Sequence, residues 1–298
     1  MGREGASELR QSIKRDSKKI LRHQIGKAMA VLFMVVSVLM FFTLVEHICA
    51  QTLNIWGLSD LFALEEVPFD APVVILSASV ILAIWLLRGL VLAPLYLGQH
   101  RWYWNVALDP DAPVWDVFHY FGSLRRMGRS IWYALNLIAR SAFYSVCMLA
   151  PSAGLLWAGY YFYISTDSTL FTALGAVVII LSLLLMALTV PLLVYFLTRY
   201  FLAKYIVISR SDIPVRKAFH ISVKEMASRR GELFFLYLSF LPWALLSLLV
   251  IPILYFFPHL STSTALYAHC WLRELDFTAY GCPAQRAAQG AAQREGGA

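Results

Sequence analysis

The sequence predicts an all-α fold, a polytopic transmembrane helix bundle with five spanning helices and additional amphipathic interfacial helices. Composition carries this prediction. Hydrophobic residues make up 59% of the 298-residue chain, against about 45–50% in soluble domains. Charged residues make up only 14%, against about 25%, and the mean hydropathy is +0.64. So few polar residues cannot cover a surface that meets water on all sides, which excludes a soluble domain.

Five apolar runs are long enough to cross roughly 30 Å of hydrocarbon as helices. The predicted spans cover residues 28–45, 71–92, 142–164, 171–197 and 233–257. The third span begins late in its apolar region because Asn136 and Arg140 interrupt the first part, so residues 131–141 are predicted to lead in along the interface. Prolines 151, 191, 242 and 252 are interpreted as kinks within continuous spans.

The connecting segments alternate in lysine and arginine content, as the positive-inside rule requires. Residues 1–27 hold eight such bases, 46–70 none, 93–130 four, 165–170 none and 198–232 eight. This alternation predicts a multi-pass protein with a cytoplasmic N-terminus. With five spans, the C-terminus would lie outside.

These boundaries divide the chain into three regions. Residues 1–27 are predicted to be a basic amphipathic cytoplasmic segment, and residues 28–257 the transmembrane bundle. Residues 258–298 would form a C-terminal tail, disordered from about residue 284, where the sequence becomes low in complexity.

The basic N-terminal segment is the first candidate functional surface. Apolar residues recur there at helical spacing with bases between them, which predicts a helix lying in the headgroup layer. Each base contributes about 1 kcal/mol of attraction to an anionic leaflet. The candidate lipid-headgroup contacts are Lys14, Arg15, Lys18, Lys19 and Arg22. The alternative is that these charges serve topology only.

Two arginines form the second candidate, a polar path. Arg88 and Arg140 lie toward the cytoplasmic ends of the second and third predicted spans. They are interpreted either as anchors that extend to the interface or as part of a polar path or anion site. The sequence places no carboxylate inside a span to pair with them, since Glu46 stands just past the first span.

Two further surface segments are predicted to be helical. One runs from Ile213 to Arg230, with Pro214 in its first turn and Gly231 ending it. The other, Val114–Phe121, would place three aromatic rings near one side at the headgroup boundary. Asp116 and His119 on that segment are interpreted as interfacial polar residues, with acid–base chemistry as the minor alternative.

No catalytic, cofactor-binding or metal-binding motif is present. The sequence contains no phosphate-binding loop, no G-x-G-x-x-G, no H-E-x-x-H and no G-x-S-x-G. We therefore expect no enzyme activity, no cofactor and no metal. A nucleic-acid partner is not expected either, because the bases lie beside apolar runs.

Three stretches resemble a known family. They are "LAPLYLGQHRWYW" followed by "VWDVFHYFGS", then "SDIPVRKAFHISVKEMASRRGELFFLYLSFLPWALLS", and the basic lead "IKRDSKKILRHQIGKAM". Together, from about residue 10 to Trp271, they are similar to the bacterial integral membrane proteins of the domain-of-unknown-function family number 975. Pro242 departs from the pattern, since the family tends to have glycine there. The resemblance implies a bacterial plasma-membrane protein and supplies no activity.

The predicted function is that of a non-enzymatic integral membrane protein that organises the membrane by binding lipid or partner proteins. Its expected partners are the bilayer and its anionic headgroups, with membrane protein partners or a homo-oligomer left open. The alternative is a transporter or a transporter-accessory subunit, which the proline-containing spans and the two arginines favour.

Overall fold

The computed structural model describes residues 3–52, 71–109, 111–164, 168–247 and 252–275, and every regular element in these ranges is helical. The all-α prediction is therefore confirmed for the described residues. The helices are α1 (Arg3–Thr52), α2 (Ala71–Val106), α3 (Leu124–Ile164), α4 (Thr169–Leu197), α5 (Phe201–Ser209), α6 (Val215–Glu225), α7 (Arg230–Leu238), α8 (Leu241–Leu246) and α9 (Ile253–Glu274). A 3₁₀ helix, Val114–Gly122, lies between α2 and α3.

Four helical segments are long and apolar enough to cross a membrane. They are Arg10–Thr52, Ala78–Val106, Leu124–Ile164 and Thr169–Ser209. Protein covers little of them: only 22% of the most apolar stretch is buried in each of the first two, 11% in the third and 6% in the fourth. Such large exposed apolar faces need a hydrocarbon environment. The chain thus has the helices of a membrane protein.

The predicted fifth span, residues 233–257, is wrong. Among the described residues, that region holds α7, of 9 residues, α8, of 6 residues, and the start of α9. The break before α8 has a clear cause, because Pro242 has no N–H to continue the hydrogen-bond ladder of α7. Pro252 likewise begins a new helix, its carbonyl accepting hydrogen bonds from the backbone of Tyr255 and Phe256.

The spanning helices are longer than the predicted spans. Helix α1 has 50 residues, about 75 Å at 1.5 Å per residue, so much of it extends beyond the hydrocarbon. The basic segment is continuous with the first span instead of forming a separate helix. Residues 131–141 are likewise part of α3. Helix α9 runs through the region assigned to the C-terminal tail, whereas residues 284–298 lie outside the described residues.

The chain folds into two compact units. Unit 1 comprises residues 1–10, 132–242 and 270–298, and unit 2 comprises residues 11–131 and 243–269. Each unit has its own buried core.

The core of unit 2 lies where the end of α2 meets the 3₁₀ helix. The largest buried side chains of this part of α2 are Leu95, Leu97, Trp102 and Tyr103. The two elements approach closely at Gly98: a Cβ atom there would lie 1.8 Å from the carbonyl oxygen of Val117. Val117 itself is fully buried. Only glycine permits this contact, since any side chain would occupy the space of a backbone carbonyl.

The core of unit 1 is built by α5 and α6. Nearly all of α5 is buried, and α6 contributes Ala218, Phe219 and Ile221. Helices α3 and α4 cross at two glycines, where a Cβ on Gly175 would lie 2.8 Å from the carbonyl oxygen of Gly159. Small residues at such crossings let helix backbones approach in membrane bundles.

Helix α6 is shorter than the predicted helix Ile213–Arg230. It begins after Pro214, which has extended backbone geometry and precedes the first helical residue. A 3₁₀ turn, Met226–Ser228, ends it. Gly231, predicted to end this helix, instead lies in the first turn of α7. Its φ is outside the left-handed range that a glycine helix terminus uses.

Candidate functional site

The candidate lipid contacts of the N-terminal segment occupy one exposed face of α1. Arg15, Lys18, Lys19 and Arg22 are exposed, while Lys14 is half-buried at the edge of this face. At 100° per residue the four exposed bases fall within about a third of the helix circumference. None of the four forms an ion pair within the described part of the chain. We call these four residues the basic stripe.

The opposite face of the same segment is covered by protein. Ile13, Ser17 and Leu21 follow one another at intervals of four and are at most 3% exposed. Within unit 2, Ser17 contacts α9, where the Ser263 hydroxyl donates a hydrogen bond to Ser17 Oγ at 2.8 Å. This face is therefore buried within the protein, with Ser17 against α9, whereas the sequence predicted that it would lie on lipid.

A histidine completes this buried contact. His259 Nδ1 lies 3.2 Å from Ser263 Oγ and 3.4 Å from Ser17 Oγ. The Ser17 hydroxyl donates its proton to the carbonyl of Lys14 and the Ser263 hydroxyl donates its own to Ser17. The three side chains thus form a hydrogen-bonded cluster that joins α1 to α9.

Acid should weaken this contact. Burial, with smaller effects of Lys14 and Lys18, lowers the pKa of His259 below its ordinary value near 6.5. Because the unfolded chain then takes up the proton first, stability is complete above about pH 6.5 and is lost as the pH falls below it. We expect the melting temperature in detergent to drop between pH 7.5 and 5.5, and to drop less in His259→Asn, which keeps a donor without titrating.

The control for that measurement is His220→Asn, since His220 is exposed on α6. It should leave the pH dependence of the melting temperature as in the wild type. Equal pH dependence in the wild type and in His259→Asn would contradict the assignment.

Arg88 of the predicted polar path is paired, which the sequence did not predict. Its guanidinium lies 3.7 Å from Glu46 of α1, and each side chain is about a third exposed. The indole N–H of Trp85 also donates to Glu46 Oε1, at 3.2 Å. Glu46 and Arg88 therefore lie at the same depth, and the prediction that no carboxylate is available to Arg88 is wrong.

The 3₁₀ helix presents the predicted row of aromatic rings. Three residues per turn place Trp115, Phe118 and Phe121 directly above one another. These rings are exposed, with centroids 6.0 Å apart in each neighbouring pair, while Val117 and Tyr120 are buried behind them. An exposed aromatic row suits the headgroup boundary of a bilayer.

The Asp116–His119 pair does not form the acid–base arrangement considered from the sequence. Asp116 Oδ2 accepts a 2.6 Å hydrogen bond from Asn105 Nδ2 of α2. Burial, together with Arg101 and Arg126, lowers the pKa of His119, and Asp116 opposes this only as the smallest contribution. The carboxylate thus joins the 3₁₀ helix to α2 and does not orient the imidazole.

Arg140, the second polar-path residue, belongs to an aromatic cluster in unit 1. Its Cζ lies 5.0 Å from the centre of the Phe219 ring and 5.7 Å from that of Tyr200. Arg199 lies against the same Tyr200 ring, at 5.6 Å, and donates a 2.7 Å hydrogen bond to the Tyr144 hydroxyl. Arg140 belongs to unit 1 and Arg88 to unit 2.

Contact between bases and aromatic rings recurs across unit 1. Bases that lie over rings, besides the two above, are Arg10, Lys204, Arg216 and Arg229. Such contacts stabilise a cation by about 0.5–2 kcal/mol and leave its charge in place. The sequence analysis did not predict these contacts between bases and rings. The composition was compatible with them, since the chain has a net charge of +7 and 14% aromatic residues.

Among the described residues, no three histidine, cysteine, aspartate or glutamate side chains are grouped closely enough to hold a metal ion. The candidate sites are the basic stripe, the row of aromatic rings on the 3₁₀ helix, and Arg140 and Arg199, which lie over aromatic rings. Guanidinium and ammonium groups are able to pair with anions, and exposed aromatic rings suit a bilayer interface.

These features define a helical protein of the membrane class with a cation-rich surface. Residues 123–270 match the family model described as "Protein of unknown function (DUF975)". The chain belongs to this family, as its resemblance predicted. The match covers α3 to α8 and most of α9, whereas the basic lead and the "LAPLYLGQHRWYW" stretch precede it. No curated protein and no solved structure matches the chain.

Proposed function

We propose that this protein is a non-enzymatic membrane protein that binds anionic lipid at one face of the bilayer and organises lipid or partner proteins there. The observation that carries the proposal is the basic stripe: its four bases share one exposed face and form no ion pair with any residue that the structure describes, while the opposite face is buried. A helix that needed charge only for topology would not require its bases on one face.

The distance along α1 supports a lipid partner. The apolar run begins near Ala28, so Arg22 lies about 9 Å and Arg15 about 20 Å from it along the helix. Electrostatic attraction to an anionic surface decays over about 8–10 Å at physiological salt. We therefore expect the contributions of the four bases to decrease from Arg22 to Arg15.

The proposed location is a bacterial plasma membrane, with the N-terminus in the cytoplasm. The support is the basic content of the N-terminal segment and of residues 198–232, together with the acidic segment 46–70. In this orientation the basic stripe meets the leaflet face that carries anionic lipid.

Lipid selectivity in reconstituted vesicles tests the proposal. Spin-labelled phosphatidylglycerol and phosphatidylcholine are compared for their association with the full chain at 0.1 M and 0.5 M salt. We expect the wild type to prefer phosphatidylglycerol, and the preference to weaken at high salt. Changing all four stripe residues to glutamine should remove most of it, since each base contributes about 1 kcal/mol near the surface.

The matched control exchanges the bases for each other, as Arg15→Lys, Lys18→Arg, Lys19→Arg and Arg22→Lys. It keeps the charge and should keep the preference. Within single variants, Arg22→Gln should have a larger effect than Arg15→Gln. A glutamine variant with unchanged preference would contradict the proposal.

The Glu46–Arg88 pair favours a second candidate, a transporter or transporter subunit. A carboxylate within a membrane span is a feature of proton-coupled transport. Proteoliposomes containing a pH-sensitive dye would then show proton flux above that of protein-free vesicles, and Glu46→Gln would abolish it. No flux above the protein-free level would reject this candidate.

A further inference from the structure

We infer that Arg140, Arg199 and Tyr144 form a binding site for a phosphate group, the phosphate of an anionic lipid headgroup. All three residues belong to unit 1, whereas the basic stripe belongs to unit 2. It would add a defined lipid position to a protein whose stripe gives only diffuse attraction.

Arg140 and Arg199 bring two positive charges to one aromatic ring. Both guanidinium groups lie within 5.7 Å of the centre of one ring, that of Tyr200. The positive potentials of the two groups therefore add near this ring. Within the described residues neither arginine forms an ion pair. An aromatic face attracts a cation but does not neutralise it, so an anion bound by both groups would supply the missing negative charge.

Arg199 is held in place by hydrogen bonds of its side chain and of its backbone. Its guanidinium donates to the Tyr144 hydroxyl at 2.7 Å. Its backbone carbonyl accepts a 2.8 Å hydrogen bond from Ser222, which joins this turn to α6. The Nε atom is buried without a hydrogen-bond partner. A guanidinium that is fixed and still has free donors matches the geometry of phosphate oxygens.

The position of Arg140 and Arg199 relative to the bilayer matches that of lipid phosphates. Helices α3 and α4 form an antiparallel hairpin whose close crossing at Gly159 and Gly175 lies toward its connecting turn. Arg140 precedes the apolar stretch of α3 that was predicted to span, residues 142–164, and Arg199 follows the apolar α4. Both arginines thus lie at the same end of the hydrocarbon region, where lipid phosphates lie. A bilayer therefore supplies the phosphate at this position in high local concentration.

The experiment uses the wild-type full chain in detergent and the arginine reagent phenylglyoxal, with modification of each arginine followed by mass spectrometry. Added phosphatidylglycerol should slow the modification of Arg140 and Arg199, while phosphatidylcholine should slow it less. Arg216, which lies over Trp132 outside this pair, is the internal control and should be modified at an unchanged rate. Because the protein is not mutated, misfolding of a variant cannot account for the result.

A second measurement determines phosphatidylglycerol affinity by native mass spectrometry. We expect Arg199→Gln and Arg140→Gln to weaken it about tenfold, the loss of one charged hydrogen bond. Tyr144→Phe keeps the ring and should weaken it less, and Arg216→Gln should leave it unchanged. Inorganic phosphate and glycerol phosphate are added as competitors: if they displace the lipid at millimolar concentration, the site binds the free phosphate group, which overturns a lipid headgroup as its source.

Equal protection of Arg140, Arg199 and Arg216, or protection by neither lipid, would overturn the site. So would an equal loss of affinity in Arg216→Gln. These outcomes are distinct from failure of the basic stripe, because the stripe variants leave Arg140 and Arg199 unchanged.

Discussion

Gly98→Ala should remove most of the folded protein. The added methyl group would lie 1.8 Å from the Val117 carbonyl oxygen and 2.8 Å from its carbon. Both atoms are backbone, so no side-chain rotation can relieve the overlap, and α2 must separate from the 3₁₀ helix. We expect a loss of about 3 kcal/mol or more, a large part of the 5–15 kcal/mol that stabilises a typical protein. The measurement is the thermal midpoint and the yield of monodisperse protein in detergent.

Gly89 on the same helix provides the matched control. No atom lies within 4 Å of a Cβ placed there. Gly89→Ala should therefore be neutral or stabilise α2 slightly, since alanine favours helix over glycine by about 0.5–1 kcal/mol. If both alanine variants melted at the wild-type temperature, the close packing of α2 on the 3₁₀ helix would be refuted.

Four of the five predicted spans coincide with helices that can cross a membrane, because long apolar runs have few other uses. The fifth apolar run shows that an apolar run does not always form a membrane span. Residues 233–257 are as apolar as the others, yet Leu233 and Leu236 are buried within unit 1, while Phe235 is 53% exposed. Hydropathy measures transfer from water and does not distinguish a lipid environment from a protein core. Pro242 was the local signal, and it lies in the first turn of α8 instead of bending a span.

The candidate sites divide in the same way. The basic stripe and the aromatic row follow from periodicity along one helix, and sequence alone predicted both. The Arg199–Tyr144 contact joins residues 55 positions apart, and the Ser17–His259 contact joins residues 242 positions apart. No local pattern encodes such pairs. What composition does encode is their chemistry: with 25 bases and 18 acids, some bases must find partners other than carboxylates.

The C-terminus should lie on the same side of the membrane as the N-terminus. Four crossings return the chain to its starting side. The packing of Ser263 of α9 on Ser17 of α1 supports this independently, because Ser17 precedes the apolar part of its helix. The prediction of an outside C-terminus, which followed from five spans, is therefore replaced.

Reporters fused after Ala298 give an all-or-none result. With the N-terminus in the cytoplasm of a bacterial host, as proposed above, a green fluorescent protein fusion should fluoresce and an alkaline phosphatase fusion should be inactive, since the former works inside and the latter outside. A cysteine introduced by Asn54→Cys into a chain lacking its four native cysteines is the outside control, and an impermeant maleimide should label it in intact cells. An active phosphatase fusion and a non-fluorescent green fluorescent protein fusion would together indicate an odd number of crossings. One more crossing would then be required within residues 230–275. That result would separate α9 from the segment of α1 on which its buried serines pack.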